Sequence, residues 1–179
     1  MVYDSGIHIV SARRTPIGRL NGGLKKLSAP ELAGRVAEAT VPEGIRDLVD
    51  QVILGQVLQA GSGMNTARQV SLNLGIPETA SAFTVNMVCG SGLKAVALGA
   101  DVITSGEANL VLAGGVESMS NAPHYATDVR GDQKFGDSTM RDAILADGLS
   151  DPVLKRDMGD IAEELSKDYP IGRDEQDEF

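Results

Sequence analysis

Over its first two thirds the chain alternates between short apolar runs and longer stretches with apolar residues at three- and four-residue spacing. That alternation is the mark of an α/β layer fold. Ile7-His8-Ile9-Val10 is a β-rich run predicting a first strand, and the basic turn Ser11-Ala12-Arg13-Arg14-Thr15-Pro16 follows it. Ser28-Ala29-Pro30-Glu31 opens a helix reaching about Thr40, with Ser28 as N-cap, Pro30 in the first turn and Glu31 completing a capping box. Val52-Ile53-Leu54 predicts a buried strand, and Asn65 to Leu74 a helix that stops at Gly75. Phe83-Thr84-Val85 predicts a third strand leading into Cys89. Beyond it Leu93, Val96, Ala97, Ala100 and Ile103 form one helical face, ending at Ser105-Gly106. Leu110-Val111-Leu112-Ala113 then predicts a fully buried strand closed by Gly114-Gly115. Near-continuous apolar strands imply a sheet covered on both faces.

After about Ser118 the pattern changes. Residues 120–160 are polar and rich in Gly and Asp, with no strand of comparable strength. Residues 151–179 hold ten acidic and four basic residues, the pattern of a solvated helix face. Ile171-Gly172-Arg173-Asp174-Glu175-Gln176 predicts a helix start, with acidic residues where the macrodipole favours them. The chain stops at Phe179, before that helix completes two turns, so a longer parent protein is expected.

Composition narrows the class. At 179 residues there is room for one domain, or one and a fragment, and 42% hydrophobic residues are enough for a core. Aromatic residues are only 3%, so that core must be aliphatic. One cysteine excludes an internal disulfide, and no Cys/His cluster has metal-ligand spacing, so no metal site is expected. A net charge of -9 argues against a nucleic-acid partner. No secretory signal and no membrane-spanning apolar run is visible, so a soluble, reduced, cytoplasmic protein is expected.

The chemistry concentrates in Asn86-Met87-Val88-Cys89-Gly90-Ser91-Gly92-Leu93-Lys94-Ala95-Val96. This places a cysteine at the end of a buried strand, in a Gly-rich turn, just before a helix. The free amides and dipole of a helix N-terminus stabilise a thiolate. Gly90 and Gly92 leave room for an acyl group and permit a sharp turn, and the backbone amide of Cys89 is a donor for a developing oxyanion. Strand, nucleophile and helix together make an elbow like that of the hydrolases. On physical grounds alone, a small buried hydrophobe is an equal reading of Cys89. A nucleophile also needs a base. His8 lies in the first predicted strand and His124 in a loop, and a Cys89–His124 dyad has no support from spacing.

The residues from Asn86 to Val96 resemble the active-site cysteine motif of the thiolases, the acetyl-CoA C-acyltransferases. Ala12-Arg13-Arg14-Thr15-Pro16-Ile17-Gly18, Val52-Ile53-Leu54-Gly55-Gln56-Val57-Leu58-Gln59-Ala60-Gly61 and Ala113-Gly114-Gly115-Val116-Glu117-Ser118-Met119-Ser120-Asn121-Ala122-Pro123-His124 are similar to that family in the same order. Asp147-Gly148-Leu149, Met158-Gly159 and Arg173-Asp174-Glu175-Gln176-Asp177-Glu178-Phe179 extend the similarity to the last residue. Decarboxylating ketosynthases also use a Cys elbow, but Cys-Gly-Ser-Gly and Gly-Gly-Val-Glu-Ser-Met favour thiolase.

The resemblance implies a five-layered αβαβα protein of two similar halves, with a loop domain inserted in the first. This chain would be the thiolase-like N-terminal half, a layered α/β unit with a mixed, mainly parallel sheet over residues 1–119, plus an incomplete loop domain over 120–179. By the same resemblance Cys89 carries the acyl group, Leu149 and Met158 line the coenzyme A or acyl pocket, and the full-length family forms homodimers or homotetramers. No cofactor beyond coenzyme A thioesters is implied, and the setting is fatty acid degradation or synthesis. Asp157 stands where many members carry histidine, and His124 inherits no catalytic role. The family's catalytic histidine, second cysteine, water-positioning asparagine and second oxyanion donor come from the C-terminal half. Two readings therefore stand: the nucleophile-bearing part of an acyltransferase, or a catalytically incomplete half-domain that acts by association and exposes an apolar patch.

Overall fold

A computed structural model describes residues 6–131 and 135–179. The chain divides into two compact units, Met1–Pro123 and His124–Phe179.

The first unit is built on a three-stranded parallel sheet of β1 (Gln51–Gly55), β2 (Ser81–Val85) and β3 (Val111–Gly115), in the order β2-β1-β3. Gln51 is in register with Ser81 on one side and Val111 on the other, and Gly55 with Val85 and Gly115. All three strands thus end at one level. The helices α1 (Ala29–Thr40), α2 (Thr66–Asn73) and α3 (Ser91–Thr104) connect and cover them. The capping box of α1 forms as its sequence requires: Glu31 N–H donates to Ser28 Oγ, and Ser28 N–H donates to Glu31 Oε2 at 2.7 Å. Helix α2 starts after the cap Asn65, and its chain reverses at Gly75 with φ 76°.

Alternation along β1 divides the core. Val52 and Leu54 join Ala33, Ala37, Ala67, Val70, Leu74 and Leu112 in the cluster under α1 and α2. Ile53 and Gly55 point to the opposite face, where Gly55 abuts the start of α3. Val52 and Ile53 are fully buried, so β1 is covered on both faces as its apolar run implies.

Two expectations are corrected. Ile7-His8-Ile9-Val10 forms no strand: it is irregular, with Ile9 79% and Val10 77% exposed. A β-rich run becomes a strand only when it pairs with an edge, and this run joins neither outer strand of the sheet, β2 or β3. The face of α3 made by Leu93, Val96, Ala97, Ala100 and Ile103 is not the one laid on the sheet. Ser91, Ala95 and Gly99 are buried instead, and Leu93 is 75% and Val96 40% exposed. Small side chains bring the helix axis closer to the sheet: a Cβ on Gly99 would stand 3.3 Å from Val111 Cγ1.

The second unit holds a two-stranded antiparallel ladder of β4 (His124–Tyr125) and β5 (Arg141–Asp142), a π-helical turn Ile144–Leu149, and the short helices α4 (Met158–Leu165) and α5 (Arg173–Glu178). The expected helix start near Ile171 is α5, where Gly172 N–H donates to Glu175 Oε2 at 2.8 Å.

Candidate active site

Cys89 is exposed and is not packed into the core of this chain. It sits in the five-residue connection between the last residue of β2, Val85, and the first of α3, Ser91. Side chains within the connection fix its shape. Ser91 Oγ accepts from Met87 N–H at 2.8 Å and donates to Val88 carbonyl oxygen at 2.6 Å. Asn86 Oδ1 accepts from Val88 N–H at 2.9 Å. Gly90 N–H donates to Met87 carbonyl oxygen at 3.0 Å, and Lys94 N–H makes the first helical bond, to Gly90 oxygen at 2.8 Å. Ser91 N–H is taken by Val88 oxygen at 3.1 Å, so the amides ahead of Lys94 that have no intrahelical partner are those of Gly92 and Leu93.

The turn bends differently from the sequence reading. The left-handed residue is Val88, with φ 48°, whereas Gly90 has φ -82° and ψ 0°, a conformation open to any residue. A β-branched residue at positive φ is strained, and this one directly precedes the nucleophile candidate. The glycines serve packing. A Cβ on Gly55 would lie 2.4 Å from Ser91 carbonyl carbon, and one on Gly115 would lie 2.9 Å from Gly92 Cα. With bare backbone at the ends of β1 and β3, the first turn of α3 rests directly on the sheet. Sequence reasoning missed Gly55, Gly115, Val88 and Ser91 as parts of this site. Gly55 and Gly115 could have been found as glycines ending two buried strands; nothing local marks Val88 for positive φ.

Further polar residues gather at the same end of the sheet. Glu117, two residues past β3, accepts from Val57 N–H at 2.9 Å and Leu58 N–H at 3.1 Å. It is half-buried, and burial pushes its carboxyl above the usual range despite the opposing pull of the two amides. Gln56 is buried: its Nε2 donates to Leu58 oxygen and Ser62 Oγ, each at 3.0 Å, and its Oε1 accepts from Thr66 Oγ1.

Leu149 and Met158 lie in the second unit, both partly exposed. An antiparallel bridge between Ser150 and Asp157, reinforced by Ser150 Oγ donating to Asp157 Oδ1 at 2.7 Å, sets them opposite one another one step outside the bridge. Asp157 is thus held by Ser150. His124 stands 3.9 Å from Asp142 and Tyr125 Oη donates to Asp147 at 2.9 Å, so His124 belongs to the ladder of its own unit. Among the described residues no group of three or more His, Cys, Asp or Glu has metal-binding geometry, and no helix is long and apolar enough to cross a membrane.

Comparison with known proteins agrees with this arrangement. Residues 7–179 match the family model described as thiolase, N-terminal domain. The chain is 47% identical over 173 residues to an acetyl-CoA acetyltransferase of Cupriavidus necator, covering 96% of this chain and 44% of that protein. It is 45% identical over 175 residues to a cytosolic acetyl-CoA acetyltransferase of Gibberella zeae, covering 97% and 44%. Among solved structures, the Acat5 thiolase of Ascaris suum in complex with coenzyme A superposes with a TM-score of 0.81 at 39% identity, over 92% of this chain and 43% of that one. The chain spans less than half the length of each of these relatives.

Proposed function

The chain belongs to the thiolase family through its N-terminal domain, and from that premise we propose that it carries the nucleophile of an acyltransferase working between a cysteine and coenzyme A. In this reading Cys89 thiolate attacks the 3-keto carbon of a 3-ketoacyl-CoA; the carbon–sulfur bond forms on Cys89 as the C2–C3 bond breaks, and acetyl-CoA leaves as its enolate and is protonated. The thiolate of a second coenzyme A then takes the acyl group and frees Cys89, the Claisen direction running the same steps backwards. The Cys89 amide takes one side of the oxyanion. The net reaction is thiolysis of acetoacetyl-CoA or another 3-ketoacyl-CoA, or the Claisen reverse. Proton transfer and enolate formation fall to a histidine and a second cysteine of a C-terminal half.

The carrying observation is the exposed Cys89 on an elbow held by Ser91 at the start of α3. Leu149 and Met158, set opposite one another beside the Ser150–Asp157 bridge, are assigned to the coenzyme A or acyl pocket, within a partial loop domain over residues 120–179. The Ascaris suum neighbour, a coenzyme A complex, supports that ligand class. A cytoplasmic setting, a place in fatty acid metabolism and a homodimer or homotetramer as the full-length form complete the proposal.

A second reading is favoured by one observation. Leu93 and Val96 leave an apolar face on α3 open, as expected of a half-domain inactive until associated. Incubation with acetyl-CoA followed by peptide mass analysis tests the nucleophile: one acetyl adduct on Cys89, absent from Cys89→Ser, is the expected result, and an unlabelled Cys89 overturns it. Steady-state thiolysis of acetoacetyl-CoA separates the two readings. Turnover by the chain alone removes the half-domain reading, and acetylation without turnover supports it.

A further inference from the structure

We propose that Glu117 is a positioning residue for Cys89, clamping the segment after β1 so that the end of β2, and the elbow that springs from it, are held in one place. The inference deepens the acyl-transfer reading above and rests on it for its role in a reaction, although the clamp itself is measured independently.

The geometry is that of a two-point grip. One carboxylate takes two consecutive amides, Val57 N–H on Oε2 and Leu58 N–H on Oε1, from a loop some 60 residues away in sequence. That loop is tied to the elbow through the three strand ends. Gln56 N–H donates to Val85 oxygen at 3.0 Å, the last residue of β2. Val116 N–H donates to Gly55 oxygen at 2.9 Å, and Gly55 in turn presses on Ser91 and Gly92 at the start of α3. Cys89 lies between Val85 and Ser91, so both ends of its connection bear on the segment that Glu117 holds. A contiguous hydrogen-bonded and packed network of this kind carries coupling between its ends.

The charge is part of the device. An amide side chain offers one acceptor oxygen and cannot reproduce the pair of charge-assisted bonds, which are about twice as strong as neutral ones. Retaining an ionised group in a half-buried place costs free energy, and burial raises its carboxyl accordingly. The charged residues sharing its cavity are Arg19 and Lys25 of the N-terminal segment. Gln56, Val57, Leu58 and Val85 bring no charge. Acidification therefore neutralises Glu117 ahead of ordinary carboxylates, and the grip on Val57 and Leu58 weakens.

The test uses the 179-residue chain, with amide hydrogen exchange at Val57 and Leu58 and the rate of Cys89 alkylation by iodoacetamide. Exchange is referred to intrinsic rates, and alkylation to a free small thiol at the same pH. At neutral pH, Glu117→Gln is expected to raise exchange at both amides about tenfold, the loss of roughly one charged hydrogen bond. It is expected to change the relative alkylation rate of Cys89 about threefold, with Glu117→Asp recovering part of both effects. The unaltered chain taken down in pH should show the same paired change, which decides the matter even if the Gln variant loses protection in β1. Faster exchange at Val57 and Leu58 with unchanged Cys89 alkylation reduces Glu117 to a local clamp and overturns the proposal, as does unchanged exchange. A chain that takes no acetyl group from acetyl-CoA yet keeps the Glu117 dependence of alkylation loses the acyl-transfer reading and keeps this one.

Discussion

Gly55 and Ser91 are in backbone contact: a Cβ built on Gly55 would lie 2.4 Å from Ser91 carbonyl carbon and 2.6 Å from its oxygen. No side chain separates the end of the central strand from the first turn of α3. The helix N-terminus is thereby set directly at the end of the sheet, and the connection carrying Cys89 has little freedom in where it lies. A residue that looks like mere punctuation at the end of β1 is the floor on which the candidate nucleophile's helix stands.

Gly55→Ala follows from that contact. The nearest atoms are backbone and cannot rotate away, so α3 must lift or the strand must shift. Overpacking of this kind costs about 1–3 kcal/mol, and rigid neighbours put the expectation at the upper end. Urea denaturation should show a lowered midpoint with unchanged slope, and Cys89 acetylation should fall with it.

Inside the elbow, Ser91 and Val88 are expected to respond oppositely. Ser91→Ala removes a hydroxyl that serves Met87 N–H and Val88 oxygen from a buried position, at a cost of about 1–3 kcal/mol. Val88→Gly relieves a left-handed conformation that costs a non-glycine residue about 1–2 kcal/mol. Against that stands an entropy loss of about 0.5–1 kcal/mol for glycine, so stability should hold or rise slightly. Chemical denaturation gives both values. If Val88→Gly destabilises as much as Ser91→Ala, the elbow is not strained at that residue.

How much of this was legible in the sequence depends on the range of the interaction that decides it. The start of α1 was readable because Ser28 and Glu31 are three residues apart and satisfy each other. The strand β1 was readable because burial on both faces requires apolar residues throughout; β3 was readable from its apolar run, but it is an edge strand in which only Leu112 is buried, not the fully buried strand expected. The place of Cys89 between a strand and a helix was readable from the apolar run before it and the helical spacing after it. The orientation of α3 was not: its large residues, Leu93 and Val96, give the stronger periodic signal, while the face on the sheet is made of Ser91, Ala95 and Gly99. Close packing against a sheet selects small residues, which a search for hydrophobic stripes passes over. Glu117 was also missed, since its partners Val57 and Leu58 are remote in sequence and offer backbone, which carries no residue-specific mark.

Asp50 should give the fold an acid-side dependence. Its Oδ2 accepts from Asn109 N–H at 2.7 Å and Leu110 N–H at 3.2 Å, and these bonds, the Asn109 one foremost, hold its carboxyl below the usual 3.8. A depressed acid contributes stability that is present above its unfolded value and lost as pH falls through its folded one. Asp50→Asn should therefore lower the melting temperature at neutral pH, with a deficit that narrows as the pH drops below about 3.8. Thermal melts of both chains from neutral to acid pH check this; a deficit that stays constant into strong acid would mean the charge of Asp50 plays no part.

The two faces of α3 lead to the sharpest contrast in stability. Ala95 is fully buried against the sheet, with Gly99 one turn on and nearly touching Val111. Ala95→Leu inserts a branched side chain at a fully buried position on the face of α3 laid on the sheet, and is expected to cost about 3 kcal/mol, the upper range for overpacking. Leu93 is 75% exposed, so Leu93→Ala removes little packing and should stay within about 0.5 kcal/mol of the parent chain. A scan guided by residue size alone would expect the reverse, with the leucine in the core and the alanine at the surface. Measuring both variants by urea denaturation therefore tests the rotational setting of α3 on the sheet. If Leu93→Ala proves the more damaging change, the large-residue face is the one turned inward, and the placing of Ser91 at the base of the elbow falls with it.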